Sequence, residues 1–187
     1  MLKRLDRGEM KEIFDTRMVQ DFPPDELKPW KRIAEMLDEG VYFAYGLYEQ
    51  SEVMAYAFFV VKGDLVLLDY YAVCKQMRGT GVGSRCMKLL CGELKRQGIH
   101  AMLAEVENPD YAGSAEEKAV QERRIRFYEK NGFTLTDTRS CLFSVEYKIM
   151  YVPFGEMGKE EVPGALDTIY HTMFPVKYLG REVVLYQ

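Results

Sequence analysis

Residues Leu65 to Gly92, LVLLDYYAVCKQMRGTGVGSRCMKLLCG, constrain this chain more than any other segment. Leu65 to Val73 is rich in apolar, β-branched and aromatic residues, the composition of a buried strand. Gly79, Gly81 and Gly83 then alternate with Thr80, Val82 and Ser84. Glycines at this spacing permit positive φ and let a ligand approach the backbone with no Cβ in the way. Beyond them Met87, Leu90 and Leu94, flanked by Leu89 and Cys91, recur at helical spacing. A strand, a glycine turn and a helix start in succession aim unpaired N–H groups and the positive end of the helix dipole at one point. That is an anion site, phosphate being its usual occupant, and Arg78 adds a charge at its edge.

The rest of the composition narrows the class. At 187 residues, 48% of them hydrophobic and 29% charged, the chain suits one packed domain. A net charge of −4 argues against nucleic acid as the main partner. No apolar run reaches the ~18–20 residues of a membrane span. The opening MLKRLDRGEMKEIF has no apolar signal-peptide core, so a cytoplasmic location is expected. Cys74, Cys86, Cys91 and Cys141 form no CxxC pair, and the histidines are His100 and His171; the spacing predicts no metal site. Reduced buried thiols are the expectation.

In chain order, Leu2 to Asp6 reads as a short first strand. Helices are predicted over Met10–Gln20 and Glu26–Leu37, separated by Pro23 and Pro24. Strands over Val41–Tyr48, Val53–Lys62 and Leu65–Val73, joined by short turns, form an antiparallel meander. The helix after the glycine turn closes near Gly98. A strand over His100–Val106 follows it and should run parallel to Leu65–Val73 through a right-handed crossover. Ser114 to Glu117 fits a capping box opening a helix that Asn131 and Gly132 close. Phe133–Thr138 and Val145–Val152 read as strands, and Ala165–Phe174 as a helix.

At this point the pattern resembles the GNAT superfamily of acyl-CoA-dependent N-acetyltransferases. Gln76, Gly79 and Gly81 meet its phosphate-loop pattern Q/R-x-x-G-x-G/A, and FYEKNGF, Phe127 to Phe133, is similar to its second motif. The resemblance covers about residues 41–152, leaving 153–187 as a C-terminal extension of a single domain. It implies an α/β (α+β) fold: a mostly antiparallel central sheet, flanked by helices, with the fourth and fifth strands parallel and splayed apart. It implies acetyl-CoA as co-substrate, with no metal. Its pyrophosphate would lie on Arg78, Gly79, Thr80, Gly81, Val82, Gly83 and Ser84, and its pantetheine against the backbone of Ala72 and Val73. The implied reaction is direct acetyl transfer to a primary amine of a small molecule or peptide in a ternary complex. The alternative is a non-catalytic acyl-CoA sensor or subunit, and a homodimer is compatible with either. A dinucleotide-binding fold fails on context, because antiparallel strands precede the turn and the glycine spacing is not G-x-G-x-x-G.

Such a transfer needs a neutral amine, a polarised thioester and a proton for the departing thiolate. Tyr128 stands at the tyrosine position of the resembled motif, and a phenol can donate that proton. The base is open. Where some members carry a glutamate on the fourth strand this chain has Leu67. Asp69 lies on the face shared with Tyr71 and Val73, and Glu105 and Glu107 share a face at the end of the fifth strand. Glu105 is the favoured candidate and Asp69 the next. Gln121 stands where members of the family often have asparagine. Residues 108–118 are a candidate lid over the acceptor, or a plain surface insertion.

Overall fold

The computed structural model describes residues 1–24 and 26–186. Its strands are β1 (Leu2–Arg4), β2 (Tyr42–Glu49), β3 (Glu52–Lys62), β4 (Leu65–Val73), β5 (Ala101–Glu107), β6 (Thr134–Leu142), β7 (Val145–Pro153) and β8 (Val183–Tyr186). Its α-helices are α1 (Arg7–Ile13), α2 (Val19–Asp21), α3 (Trp30–Asp38), α4 (Val82–Arg96), α5 (Ala115–Lys130) and α6 (Val162–Met173). The strands hydrogen-bond in the order β1-β2-β3-β4-β5-β7-β6-β8. β4 and β5 are parallel, as expected, while β1–β2, β2–β3, β5–β7, β6–β7 and β6–β8 are antiparallel. The β4–β5 ladder is short: it runs from Leu65 opposite Ala101 to Leu68 opposite Ala104, although β4 continues to Val73 and β5 to Glu107. Among the described residues no helix is long and apolar enough to cross a membrane.

Internal contacts divide the chain into two compact units, Met1–Val61 with Asp69–Leu90, and Lys62–Leu68 with Cys91–Gln187. In the first, β2 and β3 are buried over nearly their whole length rather than alternately. Two-sided burial is why their sequences read as continuous apolar runs. Gln50 and Ser51 join them with φ of 48° and 70°, the mirror-image turn that suits the strand twist. The helix expected over Met10–Gln20 is broken into α1, a π-helical turn at Phe14–Met18 and the short α2. Asp6 caps α1 and Glu9 closes the capping box. α3 starts at Trp30, later than expected, because Pro29 denies it an earlier N–H donor.

In the second unit, β5, β7, β6 and β8 lie side by side. β6 runs to Leu142, four residues beyond the expected end, because β8 pairs along its far edge from Arg139–Tyr186 to Leu142–Val183. Its inward residues include Thr136, Thr138 and Ser140, so its buried face has no apolar signature. Phe143 and Ser144 turn the β6–β7 hairpin with φ of 49° and 72°. Ser114 Oγ accepts from the Glu117 N–H at 3.1 Å and caps α5; Glu117 Oε2 accepts instead from the Gly113 N–H at 2.8 Å, one residue before the expected partner. α6 buries Val162, Ala165, Leu166, Ile169, Tyr170 and Met173, a single apolar stripe at helical spacing.

Candidate active site

The glycine turn forms as a strand–turn–helix. Gly79 and Gly81 take φ of 78° and 87°, where an L side chain is strained, and a Cβ on either would meet nothing within 4 Å. Gly83 departs from the expectation: it lies inside α4 with helical backbone, so only two of the three glycines supply left-handed geometry. Thr80 Oγ donates to the Met77 carbonyl at 2.7 Å and tightens the turn. Val82, Gly83 and Ser84 begin α4, and the first N–H groups of a helix lack intrahelical acceptors. Gly79, Thr80 and Gly81 are exposed, so the turn presents its backbone outward. The Tyr71 hydroxyl donates to the Gly83 carbonyl at 2.7 Å and pins the helix start to β4.

Arg78 is engaged rather than held open at the edge. Its Nε donates to the Val73 carbonyl at 3.0 Å and its Nη2 pairs with Asp21 Oδ1 at 3.0 Å. Asp21 also accepts from the Tyr56 hydroxyl at 3.0 Å. The guanidinium therefore ties the end of β4 to the end of α2. Ala72 is buried and Val73 half-buried at this strand end.

Asp69 lies on β4 just past the last pair with β5. Its side chain is 3% exposed, yet the residue as a whole is half-buried, so what remains accessible is its backbone. The carboxylate pairs with Lys28 Nζ at 2.6 Å through Oδ1 and accepts from the Tyr42 hydroxyl through Oδ2. Lys28 Nζ also sits 5.1 Å from the Tyr70 ring centroid, and the Lys28 backbone N–H donates to the Tyr70 hydroxyl at 2.9 Å. Burial, with the Asp69 charge beside it, raises Tyr42 well above the usual phenol range. Both oxygens of Asp69 are thus occupied by an ammonium and a phenol.

The other candidates gather in the second unit. Glu105 on β5 accepts from the Tyr170 hydroxyl of α6, and that hydroxyl is 2.9 Å from Ser140 Oγ on β6. Glu107 pairs with Arg124 of α5. Tyr128 is one helical turn beyond Arg124, 6% exposed, with its ring against Phe127 and Phe133 at centroid distances of 5.5 and 5.0 Å. Burial pushes its phenol up to about 12; Arg124 draws it down and Glu107 raises it further. Gln121, 6% exposed, donates through Nε2 to Glu117 at 3.3 Å, while its buried Oε1 has no partner. Lys148 pairs with Asp110 at 3.0 Å, which anchors the 108–118 segment, and Tyr111 at its tip is 62% exposed. Tyr170, Ser140 and Lys28 are the residues that sequence reasoning missed. Helical spacing places Tyr170 on the buried stripe of its helix, where a phenol needs a partner, but nothing local names that partner.

Cys86 is pushed up by burial to about 12 and Cys91 to about 11, so neither thiol is a nucleophile at neutral pH. No group of three or more His, Cys, Asp or Glu able to hold a metal occurs among the described residues.

The acetyltransferase (GNAT) family model matches residues 8–133. No curated protein sequence matches the chain significantly. A protein assigned to the GNAT family from Bacteroides thetaiotaomicron superposes with a TM-score of 0.72 at 21% identity, covering 92% of this chain and 96% of that one. The ribosomal-protein-S18-alanine N-acetyltransferase of Escherichia coli gives 0.63 at 21% identity, over 84% and 96%. An acetyltransferase of Bacillus subtilis solved with CoA gives 0.59 at 13% identity, over 81% and 97%. These likenesses establish the fold. Together with the family match across two thirds of the sequence, they place the chain in the GNAT family of acetyltransferases.

Proposed function

We propose that this protein transfers the acetyl group of acetyl-CoA to the primary amine of a small molecule or peptide, by direct attack in a ternary complex. The observation that carries the reading is the turn at Gly79–Gly81. It combines left-handed backbone, outward exposure and a helix start, which is what a pyrophosphate requires. The B. subtilis relative solved with CoA supports the choice of anion. In this reading Gly79, Thr80, Gly81, Val82, Gly83 and Ser84 hold the pyrophosphate through main-chain N–H groups. Arg78 supports them by fixing the turn against Asp21. The backbone of Ala72 and Val73 orients the pantetheine and the thioester carbonyl. Donors placed there stabilise the developing oxyanion, an effect of ~3–4 kcal/mol where a single donor has been removed elsewhere.

Glu105 takes the proton that the amine loses as its nitrogen bonds to the carbonyl carbon. The C–S bond then breaks, and Tyr128 gives its proton to the departing thiolate. Tyr128 stays protonated at neutral pH, as that role needs. In this reading the base is Glu105 rather than Asp69, whose side chain is 3% exposed and pairs with the Lys28 ammonium. Asp69 is then a buried ion-pair partner of Lys28 on β4. The acidic balance of the chain and the Glu105 carboxylate favour a cationic acceptor. The test is release of CoA from acetyl-CoA across a panel of diamines, amino acids, peptides and aminoglycosides. Turnover with one of them is expected; tight acetyl-CoA binding without turnover would favour a sensor.

A further inference from the structure

We infer that Tyr170, on the C-terminal helix α6, is a positioning residue that fixes the Glu105 carboxylate in one orientation and as the anion. Glu105 and Tyr170 lie 65 residues apart in sequence, and α6 falls outside the residues that match the family model. Tyr170 is 2% exposed and Ser140 fully buried, so neither hydroxyl can turn to water. A carboxylate only accepts hydrogen bonds, and a phenol has one proton to give. The proton order follows: Ser140 donates to Tyr170, and Tyr170 donates to Glu105. The ring cannot swing away, because Phe174 packs against it at 5.6 Å and Phe143 backs Phe174 at 5.9 Å.

Packing alone does not explain the arrangement. A phenylalanine would fill the α6 stripe equally well, and a buried phenol is most simply satisfied by a backbone carbonyl. Here it reaches an ionisable group on β5. A hydrogen bond donated to the charged form favours that form, so Glu105 keeps its negative charge at a lower pH than it would without Tyr170. Titratable groups on the neighbouring elements among the described residues include Tyr147 on β7, which faces Glu107 across the ladder, and Glu107 itself, paired with Arg124 of α5.

The test is a carbon-13 NMR titration of glutamate side-chain carboxyls in the full chain, with the Glu105 signal assigned by its loss in Glu105→Gln. Tyr170→Phe should raise the Glu105 midpoint by about one pH unit, the scale of one hydrogen bond to a charged group. Ser140→Ala, which leaves ring and carboxylate in place, should raise it by less and serves if Tyr170→Phe does not fold. An unchanged midpoint in a folded variant overturns the inference. Its kinetic consequence rests on Glu105 being the base: the acidic limb of kcat/KM should then move up with the midpoint. A midpoint that moves while the limb stays would leave Tyr170 in its role and remove Glu105 from the proposed chemistry.

Discussion

Tyr128 shows what burial does to one side chain. Desolvation opposes the phenolate, so its proton is retained up to about pH 12 rather than its ordinary 10.0. The sign matters for the proposed role: an acid at Tyr128 would stay loaded throughout the working range, and any loss of rate between neutral pH and about 10 would come from another group. Tyr128→Phe should lower kcat by about 10²-fold, the usual scale for a general acid. Its Kd for acetyl-CoA, measured by calorimetry, should stay at the wild-type value. Equal kcat in the two proteins would remove the acid role. The place of Tyr128 near the end of α5 was legible because its motif is local, a helix end and a glycine within six residues. Tyr170 was not, because its partner lies on a strand 65 residues away and side-chain register across that distance is a product of packing.

At the scale of elements, the glycine turn and the Lys28–Asp69 pair behave in opposite ways. Gly81 has left-handed backbone with open space where a Cβ would stand. A substitution there costs the fold only the strain of that conformation, ~1–2 kcal/mol. Gly81→Glu should therefore fold yet lose acetyl-CoA binding by at least tenfold, since it places a carboxylate where an anion would sit. Gly63→Glu, at another open left-handed glycine, carries the same strain and should bind acetyl-CoA like the wild type. Equal affinity in Gly81→Glu would move the pyrophosphate elsewhere.

Asp69 is the reverse case. Its side chain is 3% exposed and paired with an ammonium, so Asp69→Asn removes the carboxylate charge that faces Lys28. The loss in a denaturant melt should be about 3–5 kcal/mol. Arg7–Asp38, at 55% and 65% exposure, should cost no more than about 1 kcal/mol when broken. Sequence alternation put Asp69 on one face of β4 with Tyr71 and Val73, and could not show that Lys28 would arrive there from a loop 41 residues earlier. The strands themselves were readable wherever both faces are apolar, as in β3. They blurred where the inward residues are hydroxylic, as in β6 with Thr136, Thr138 and Ser140.

For the whole molecule, the meander and the parallel β4–β5 pair followed from where the helices interrupt the strands, because a helix between two strands forces a crossover; the placement of β7 between β5 and β6 did not. The C-terminal residues resisted reading for a different reason. β8 is four residues long and exists by pairing with β6, so its own sequence carries little signal. Yet this segment brings α6 and its tyrosine to the second unit. Acetyl transfer is decided by following CoA thiol release and the mass of each amine in a mixed panel incubated with acetyl-CoA and the full chain. One amine should gain an acetyl group in step with released CoA, and that product should be lost in Tyr128→Phe. Acetyl-CoA bound tightly, with every amine unchanged and no thiol released, would contradict it.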